Sequence, residues 1–191
     1  MNYSKWIRDS LPEATECGWL RARVKSVVTI RHIFISPGHN FFGRHGQPAG
    51  QHPVIDVAKV SCRAGYGLEG DRFFGYRPDY NGQVTFFSWE TYDAVKTEFD
   101  VPVLAPSAFR RNVLVEGVHL KELIGTRFTL GGVEFEGMGE AKPCHWMDTV
   151  VAEGAERWLR GHGGLRAKIL SDGELRRGPV ELFAHGLLAL K

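Results

Sequence analysis

The chain has 191 residues, of which 43% are apolar and 24% are charged, a balance that is typical of a folded globular protein and too apolar for a disordered one. Twenty-four Lys and Arg residues against 22 Asp and Glu residues leave a formal net charge of +2. This near-neutral charge argues against a dedicated nucleic-acid binder with a strong basic stripe. It also provides little attraction to an acidic membrane surface, so we expect neither nucleic acid nor membrane as a partner.

The cysteines and the first residues predict a reducing compartment. Cys17, Cys62 and Cys144 are odd in number, far apart and outside any C-x-x-C pair, so a disulfide framework is not expected. The first residues contain no apolar core of a secretory signal, and no stretch approaches the roughly 18 apolar residues of a membrane span. We therefore expect a cytoplasmic protein.

The first third of the chain predicts a lead-in segment followed by strands and a long loop. We assign residues 1–20 to an N-terminal lead-in and residues 21–191 to one domain. β-Branched and aromatic residues over 24–35 predict one or two strands, and residues 54–60 alternate like another strand. Between them, residues 36–53 are rich in Gly, Pro and His, and a loop of this length is typical of functional or mobile segments.

A glycine-rich stretch, a strand and a helix follow. The glycines lie in residues 65–75, and Gln83–Phe87 reads as a strand. Ser88 is a good N-cap residue for a short helix over 88–99. The apolar residues of that helix recur at helical spacing and predict one buried face: Trp89, Tyr92, Val95 and Phe99.

The second half of the chain predicts short strands separated by turns. The expected elements are a strand at 113–115, a helical turn at 120–123, a hairpin of 127–130 and 133–135 around Gly131-Gly132, a helix at about 153–160, and strands at 167–170 and 180–183 joined by a turn at 171–173. The helices are too few for alternating βαβ units. The pattern therefore favours a mainly β fold, a β-barrel with a few short helices, over a doubly wound sheet.

Cys144 is a candidate nucleophile or soft metal ligand. A lone intracellular cysteine is most often a small buried thiol, and that interpretation stays open. Pro143 fixes the backbone before it, and Lys142 and His145 place positive charge nearby, which favours the reactive thiolate. Because His145 is adjacent in sequence, it would point away from Cys144 in an extended segment, so a simple Cys–His dyad is not expected.

Two clusters offer donors for an anion or a heterocycle. Arg110, Arg111 and Asn112 place two guanidinium groups and an amide at a strand entrance, although a solvated charged turn would have the same sequence. Asp71 and Arg72 end the glycine-rich stretch, whose glycines would also suit ordinary turns. This stretch is not the dinucleotide fingerprint, because the glycines are out of register and no helix follows.

The loop 36–53 contains a possible metal site. His39, His45 and His52 lie in one loop and could hold a divalent cation. Their spacing matches no standard zinc pattern, and no carboxylate-rich run is nearby. Histidines that act separately in a solvated loop are the simpler interpretation.

Taken together, several short motifs resemble the MOSC family, named for the C-terminal domain of molybdenum cofactor sulfurases. The matching elements are Gly67-Leu68-Glu69-Gly70-Asp71-Arg72, Phe109-Arg110-Arg111-Asn112-Val113 with Gly117, Ile124-Gly125, Pro143-Cys144, Gly163-Gly164-Leu165-Arg166-Ala167 and Gly173. The chain is most similar to small stand-alone members, since no pyridoxal-phosphate-binding domain precedes these motifs. One departure is Phe73, which occupies the place of a histidine that commonly follows the Gly-Asp-Arg motif.

The resemblance implies a MOSC-type β-barrel and a ligand, the pyranopterin molybdenum cofactor (molybdopterin). It implies that Cys144 is the thiolate ligand of molybdenum and the catalytic residue. It also implies that Asp71, Arg72, Arg110, Arg111 and Asn112 hold the pterin and its phosphate. A soft thiolate suits molybdenum, and guanidinium groups neutralise a phosphate. A histidine of the 36–53 loop could replace the one that Phe73 displaces.

Three functional hypotheses follow from the resemblance. The first is an oxidoreductase that reduces small N-hydroxylated or N-oxidised compounds; electrons would come from a separate reductase, because the sequence has no flavin, haem or iron–sulfur motif. The second is a non-catalytic carrier of the cofactor, or of sulfur as a persulfide on Cys144. The third is a barrel of this family that has lost the cofactor and binds another ligand, for which Phe73 is the main motive.

Overall fold

The computed structural model describes residues 23–41 and 47–185, so the predicted lead-in segment, Cys17 and His45 lie outside the described part of the chain. The strands are β1 (Arg23–Ile35), β2 (Ile55–Asp56), β3 (Lys59–Arg63), β4 (Gly67–Leu68), β5 (Val84–Ser88), β6 (Val113–Glu116), β7 (Arg127–Leu130), β8 (Val133–Glu140), β9 (Leu165–Ile169), β10 (Gly173–Arg176) and β11 (Gly178–His185). The α-helices are α1 (Trp89–Glu98), α2 (Trp146–Val150) and α3 (Ala155–Trp158), and 3₁₀ turns cover Pro106–Phe109 and Leu120–Leu123.

Seven strands close into a barrel. Their order is β11-β7-β8-β9-β5-β6-β1, and β1 returns to pair with β11 from Arg23 opposite His185 to Ile30 opposite Gly178. The β5–β6 pair is parallel and the other barrel pairs are antiparallel. β2 extends the end of β1, and β10, β3 and β4 form a separate small sheet. The predicted mainly β barrel with a few short helices is confirmed.

Successive apolar side chains of β5 are buried on opposite faces of the barrel sheet. Successive strand residues point to opposite faces, so Phe86 enters the barrel interior while Phe87 faces the helices. Inside the barrel, the ring of Phe86 packs against those of Phe128 and Phe135, with centroids 5.9 and 5.3 Å away. Outside it, Phe87 stacks on Phe109 at 4.5 Å. Burying both faces makes β5 a rigid central strand next to the loops that carry the site.

The helix after β5 forms as its sequence predicts. The Ser88 hydroxyl accepts a hydrogen bond from the backbone N–H of Thr91 at 3.1 Å, which satisfies one of the unpaired donors at the start of α1. Tyr92 and Val95 on its inner face are buried against the barrel. None of the helices in the described part of the chain has the length and apolar character needed to cross a membrane.

The structure corrects several predicted elements. The strand expected at 54–60 is interrupted, because β2 ends at Asp56 and β3 begins at Lys59. The helix expected at 153–160 covers only Ala155–Trp158, and α2 precedes it. The turn at 171–173 does not lead directly into the last strand, since β10 intervenes and pairs with β3, from Gly173 opposite Cys62 to Arg176 opposite Lys59.

Candidate functional site

A cavity of about 510 Å³ lies beside the cross-strand pair of Thr85 in β5 and Arg166 in β9, and we call it the main cavity. Its lining is basic and aromatic: Arg72, Arg110, Arg111, Lys142 and Arg166, the rings of Phe41, Phe73, Tyr80 and Trp146, the imidazoles of His39 and His145, and Cys144. No Asp or Glu is among the described residues that line it. Of its five cationic side chains only Arg72 forms an ion pair with a carboxylate of the described residues, and such a cluster in a partly enclosed space is suited to an anionic ligand.

Asp71 and Asn112 form a buried polar network and do not line the main cavity. The carboxylate of Asp71 accepts hydrogen bonds from the backbone N–H groups of Ser36 and Phe73 at 3.2 and 3.1 Å. It also accepts one from the Asn112 amide at 3.2 Å, and it pairs with Arg72 at 3.3 Å. Asn112 in turn accepts a hydrogen bond from the Thr85 hydroxyl at 2.8 Å. The network therefore joins the end of β1, the glycine-rich turn and β5, and it positions Arg72.

Arg72 carries a buried donor that no described residue satisfies. Its side chain is only 10% exposed, and one edge of the guanidinium is held by Asp71. Its Nε is buried and has no hydrogen-bond partner among the described residues. A buried donor without a partner costs free energy, so an acceptor atom of a molecule bound in the main cavity would stabilise this group.

The adjacent Arg110 and Arg111 have different environments. Arg110 ends the 3₁₀ turn with a left-handed backbone (φ 56°), and its guanidinium lies 4.3 Å from the ring centre of Phe41 in the main cavity. Burial, aided by the charge of Arg72, lowers the pKa of Arg110 to about 10. The group is still protonated at neutral pH, but it is a poorly solvated cation that an anion would stabilise.

Arg111 is occupied by backbone carbonyls. It donates to the oxygens of Gly163 at 2.8 Å, Ala141 at 2.6 Å and Phe109 at 3.2 Å. Burial lowers its pKa to about 10, and the nearby Cys144 sulfur favours the charged form. Arg111 lines the main cavity, yet its donors fix the 141–144 segment rather than point at a ligand.

Two glycines allow Cys144 to reach the cavity. A Cβ on Gly163 would lie 2.5 Å from the Ala141 oxygen and 2.8 Å from Pro143 Cδ, and a Cβ on Gly164 would collide with the Phe86 oxygen. The missing side chain of Gly163 lets the 141–143 segment pack directly on the loop before β9, and that of Gly164 lets the same loop pack against β5. The thiol of Cys144 is consequently exposed at the cavity wall.

His145 does not point away from the cavity as an extended backbone would require. The chain turns into α2 at this position, with the Met147 N–H bonded to the Cys144 oxygen at 2.8 Å. Both Cys144 and His145 therefore line the main cavity. The expectation of opposite directions applied to an extended segment, whereas a helix begins here; that the two residues form no simple dyad stays a prediction.

Of the two described histidines in the loop 36–53, His39 lines the main cavity and His52 does not. His39 lines the main cavity with its ring edge against Phe73, 4.9 Å between centroids. Burial, together with the charges of Arg72 and Arg110, lowers the pKa of His39, so its imidazole is neutral at pH 7. The backbone of His52 is held by the Asn40 side chain. Among residues 23–41 and 47–185 no group of three metal-ligating side chains is present, and His45 lies outside these ranges.

Arg166, Tyr80, Phe41 and Trp146 line the main cavity although the sequence analysis gave them no role in a site. A signal for Arg166 existed: in β9 the flanking Leu165 and Ala167 are buried in the barrel, so residue 166 faces outward. For Tyr80, which stacks on Phe73 at 5.3 Å, no local pattern marks the role. Its position results from the fold of the glycine-rich turn.

Known structures share this fold. The YuaD protein from Bacillus subtilis superposes with a TM-score of 0.68 at 18% identity, covering 87% of this chain and 100% of that one. YiiM from Escherichia coli gives 0.55 at 18% identity (81% and 67% covered), and YiiM from Geobacillus stearothermophilus gives 0.58 at 14% (81% and 74%). At these identities the likeness establishes the fold alone.

The family follows from the sequence. No protein with a curated description matches this chain. The family model described as MOSC domain, in contrast, matches residues 44–180, which include the glycine-rich turn, the two arginines, Cys144 and β9. The chain therefore belongs to the MOSC domain family.

Proposed function

We propose that this protein binds the pyranopterin molybdenum cofactor and reduces small N-hydroxylated or N-oxidised compounds with it. The observation that carries the proposal is the composition of the main cavity. An exposed thiol, Cys144, lies in the same cavity as Arg72, Arg110 and Arg166, and no described carboxylate lines it. A cofactor that joins a soft metal to a phosphate needs this combination of groups.

The donor set fits the cofactor. Hard cations such as Mg²⁺ and Ca²⁺ prefer carboxylate oxygens, which the described lining lacks, whereas molybdenum accepts a thiolate. The buried Nε of Arg72, without a partner among the described residues, matches an acceptor such as a phosphate oxygen. Both features are chemical requirements of the cofactor that this chain meets with residues on separate loops.

Each part of the site has a role in this proposal. The cofactor, when bound, supplies the two-electron chemistry. Cys144 would hold its metal, and Arg72 and Arg110 would hold its phosphate. Arg111 fixes the 141–144 segment through the carbonyls of Gly163 and Ala141, so that the thiol keeps one position. Asp71 orients Arg72 from behind the cavity wall.

The substrate enters the remaining space of the main cavity. Phe73 and Tyr80 form a stacked aromatic wall that orients a small molecule and excludes water. Reduction of R–NHOH consumes two electrons and two protons and yields R–NH₂ and water. In this proposal the electrons come from a separate reductase.

A turnover assay tests the proposal. Protein from a host that makes the cofactor is incubated with a reduced viologen dye and a hydroxylamine or an amidoxime. We expect reduction by the wild type and by Cys62→Ala, whose thiol lies in the barrel core, and none by Cys144→Ala. Full turnover by Cys144→Ala, or none by wild type that carries molybdenum, contradicts the proposed reaction.

One observation favours a carrier as the second candidate. Cys144 is exposed, so a thiolate or persulfide on it is open to a partner protein. Molybdenum retained without turnover under any electron donor would support the carrier. Loss of the metal in Cys144→Ala is expected under both candidates, so the viologen assay separates them.

A further inference from the structure

A second cavity of about 290 Å³ lies beside the main cavity, and the two have no described lining residue in common. Its walls come from the start of α1, the 3₁₀ turn Leu120–Leu123 with its flanking residues, the end of β8 and the loop Gly161–Gly164. We propose that this second cavity binds a small amphipathic monocarboxylate, which acts as an effector of the Cys144 segment. The inference does not depend on the molybdenum proposal.

The volume and the apolar floor set the size of the ligand. Val118, Leu120 and Ile124 form the floor, and Ile124 is 41% exposed although it is apolar. Covering such a side chain with an apolar ligand removes it from water. A cavity of 290 Å³ lies at the lower limit of small-molecule sites, so it suits a ligand the size of a single ring or a short branched chain.

The basic side chains around the opening of the second cavity favour an anionic ligand. Lys121, His119 and His162 are exposed around the opening. Within the described chain no carboxylate pairs with Lys121, whereas Lys25, Lys59, Lys96 and Lys168 all do pair. The complementary ligand has an anionic group that contacts Lys121 and an apolar part that contacts the floor.

The nearby carboxylates are already engaged. Glu140 accepts the N–H of Gly163 at 3.1 Å, and Glu90 accepts the N–H of Gly117 at 2.7 Å and the Ser88 hydroxyl at 2.6 Å. One oxygen of Glu140 and both oxygens of Glu90 accept these bonds, and among the described residues neither carboxylate forms an ion pair with Lys121. They therefore leave the ammonium of Lys121 to a ligand.

The wall between the cavities connects the second cavity to Cys144. Glu140 and Gly164 line the second cavity, while Ala141 and Lys142 line the main one. The Ala141 N–H donates to the Gly164 oxygen at 2.9 Å. A ligand that packs on Glu140 and Gly164 therefore restrains the segment that carries Cys144, and by thermodynamic linkage a ligand on Cys144 changes the affinity of the second cavity.

Binding is tested with benzoate as the probe and benzamide as its neutral counterpart. In isothermal titration calorimetry we expect saturable binding of benzoate, binding about tenfold weaker to Lys121→Met, and little binding of benzamide. Lys121 is exposed, so the replacement leaves the fold intact, which circular dichroism checks. Arg110→Met removes one charge from the main cavity and reports any benzoate that binds there instead. Arg127→Met, which removes an exposed charge on β7 away from both cavities, should bind benzoate as the wild type does. Equal binding to Lys121→Met, or weaker binding only to Arg110→Met, overturns the assignment.

The effector role has its own readout. In a Cys17→Ser background, the rate at which N-ethylmaleimide labels Cys144 is measured with and without saturating benzoate. We expect benzoate to slow the labelling about twofold or more in the wild-type cavity and to have no effect in Lys121→Met. An unchanged rate in protein that binds benzoate would refute the coupling.

Discussion

At the scale of single residues, two pairs with similar chemistry have opposite roles. Arg110 and Arg111 are neighbours in sequence, but the first faces the main cavity over Phe41 and the second is bonded to three backbone oxygens. Cys62 and Cys144 are both free thiols, but the first lies in the barrel core and the second at the cavity. Burial and hydrogen-bond partners, rather than residue type, decide which member of each pair can meet a ligand.

The two described thiols should differ in reactivity. Burial raises the pKa of the Cys62 thiol to about 12, from an ordinary 9.0. At pH 8 this lowers its thiolate fraction about a thousandfold relative to an ordinary thiol, and the barrel also blocks access. In a Cys17→Ser background, mass spectrometry should find iodoacetamide on Cys144 within minutes and none on Cys62 until the protein unfolds. Labelling of Cys62 in folded protein at a comparable rate would contradict this placement.

Arg110→Met should separate stability from anion binding. The lowered pKa of Arg110 shows that its charge is destabilised by burial and by Arg72, so an uncharged side chain of similar length should stabilise the ligand-free protein. Phosphate should raise the melting temperature of the wild type and raise that of Arg110→Met less. The measurement is thermal unfolding at constant ionic strength, with chloride replaced by phosphate.

The control for Arg110→Met is Arg127→Met, which removes an exposed charge on β7 away from the main cavity. It should respond to phosphate as the wild type does. An equal phosphate shift in all three proteins would show that the main cavity is not an anion site.

At the scale of elements, locally encoded structure could be predicted and pairing between distant segments could not. The helix α1 and the β7–β8 hairpin carry their signals within a few residues, an N-cap serine in one and Gly131-Gly132 in the other. β10 has only Leu175 as a buried residue and exists because it pairs with β3, more than 100 residues earlier. α2 lacks a side-chain N-cap, so nothing in its sequence marks where it begins.

The same distinction applies to the site. The motif residues Arg72, Arg110 and Cys144, which the sequence singled out, do line one cavity. Which motif residues face the cavity and which position other groups could not be predicted, because these roles depend on partners that are distant in sequence. Asp71 and Asn112 are positioning residues because they are buried and hydrogen-bonded to each other. Arg111 is a positioning residue because it donates to carbonyl oxygens that lie 30 and 52 residues away in sequence.

Gly163→Ala tests the packing that presents Cys144. The added methyl group would meet the Ala141 oxygen and Pro143, and the backbone of Gly163 is not left-handed, so the effect is steric. We expect a loss of about 1–3 kcal/mol in the free energy of unfolding, measured with urea, and a changed rate of Cys144 labelling. The stability and the labelling rate both change because the 141–144 segment must move away from the added methyl group.

Gly132→Ala is the matched control, since Gly132 has a left-handed backbone (φ 87°) with open space around it in the hairpin turn. It should cost about 1 kcal/mol through backbone strain alone and leave the labelling of Cys144 unchanged. If Gly163→Ala behaved like this control, direct packing of the two loops would not be what positions the thiol.

At the scale of the whole molecule, a nearly neutral protein concentrates positive charge in one place. The net charge is only +2, yet the described lining of the main cavity contains four arginines and a lysine without an acidic residue. Elsewhere on the surface, charges are mostly paired across strands and turns, as in Lys25–Glu181 and Arg63–Asp172. Composition gives only the average charge of the chain, so this local concentration of positive charge became visible only in the fold.

In the proposed function, Cys144 and the arginines around it form a site for a molybdenum cofactor. The most direct measurement is the molybdenum content of protein purified from a host that makes the cofactor, together with pterin fluorescence after oxidation. We expect near-stoichiometric molybdenum and pterin in the wild type and in Cys62→Ala, and loss of the metal in Cys144→Ala. Wild-type protein that contains neither molybdenum nor pterin, or Cys144→Ala that keeps its molybdenum, would contradict the claim.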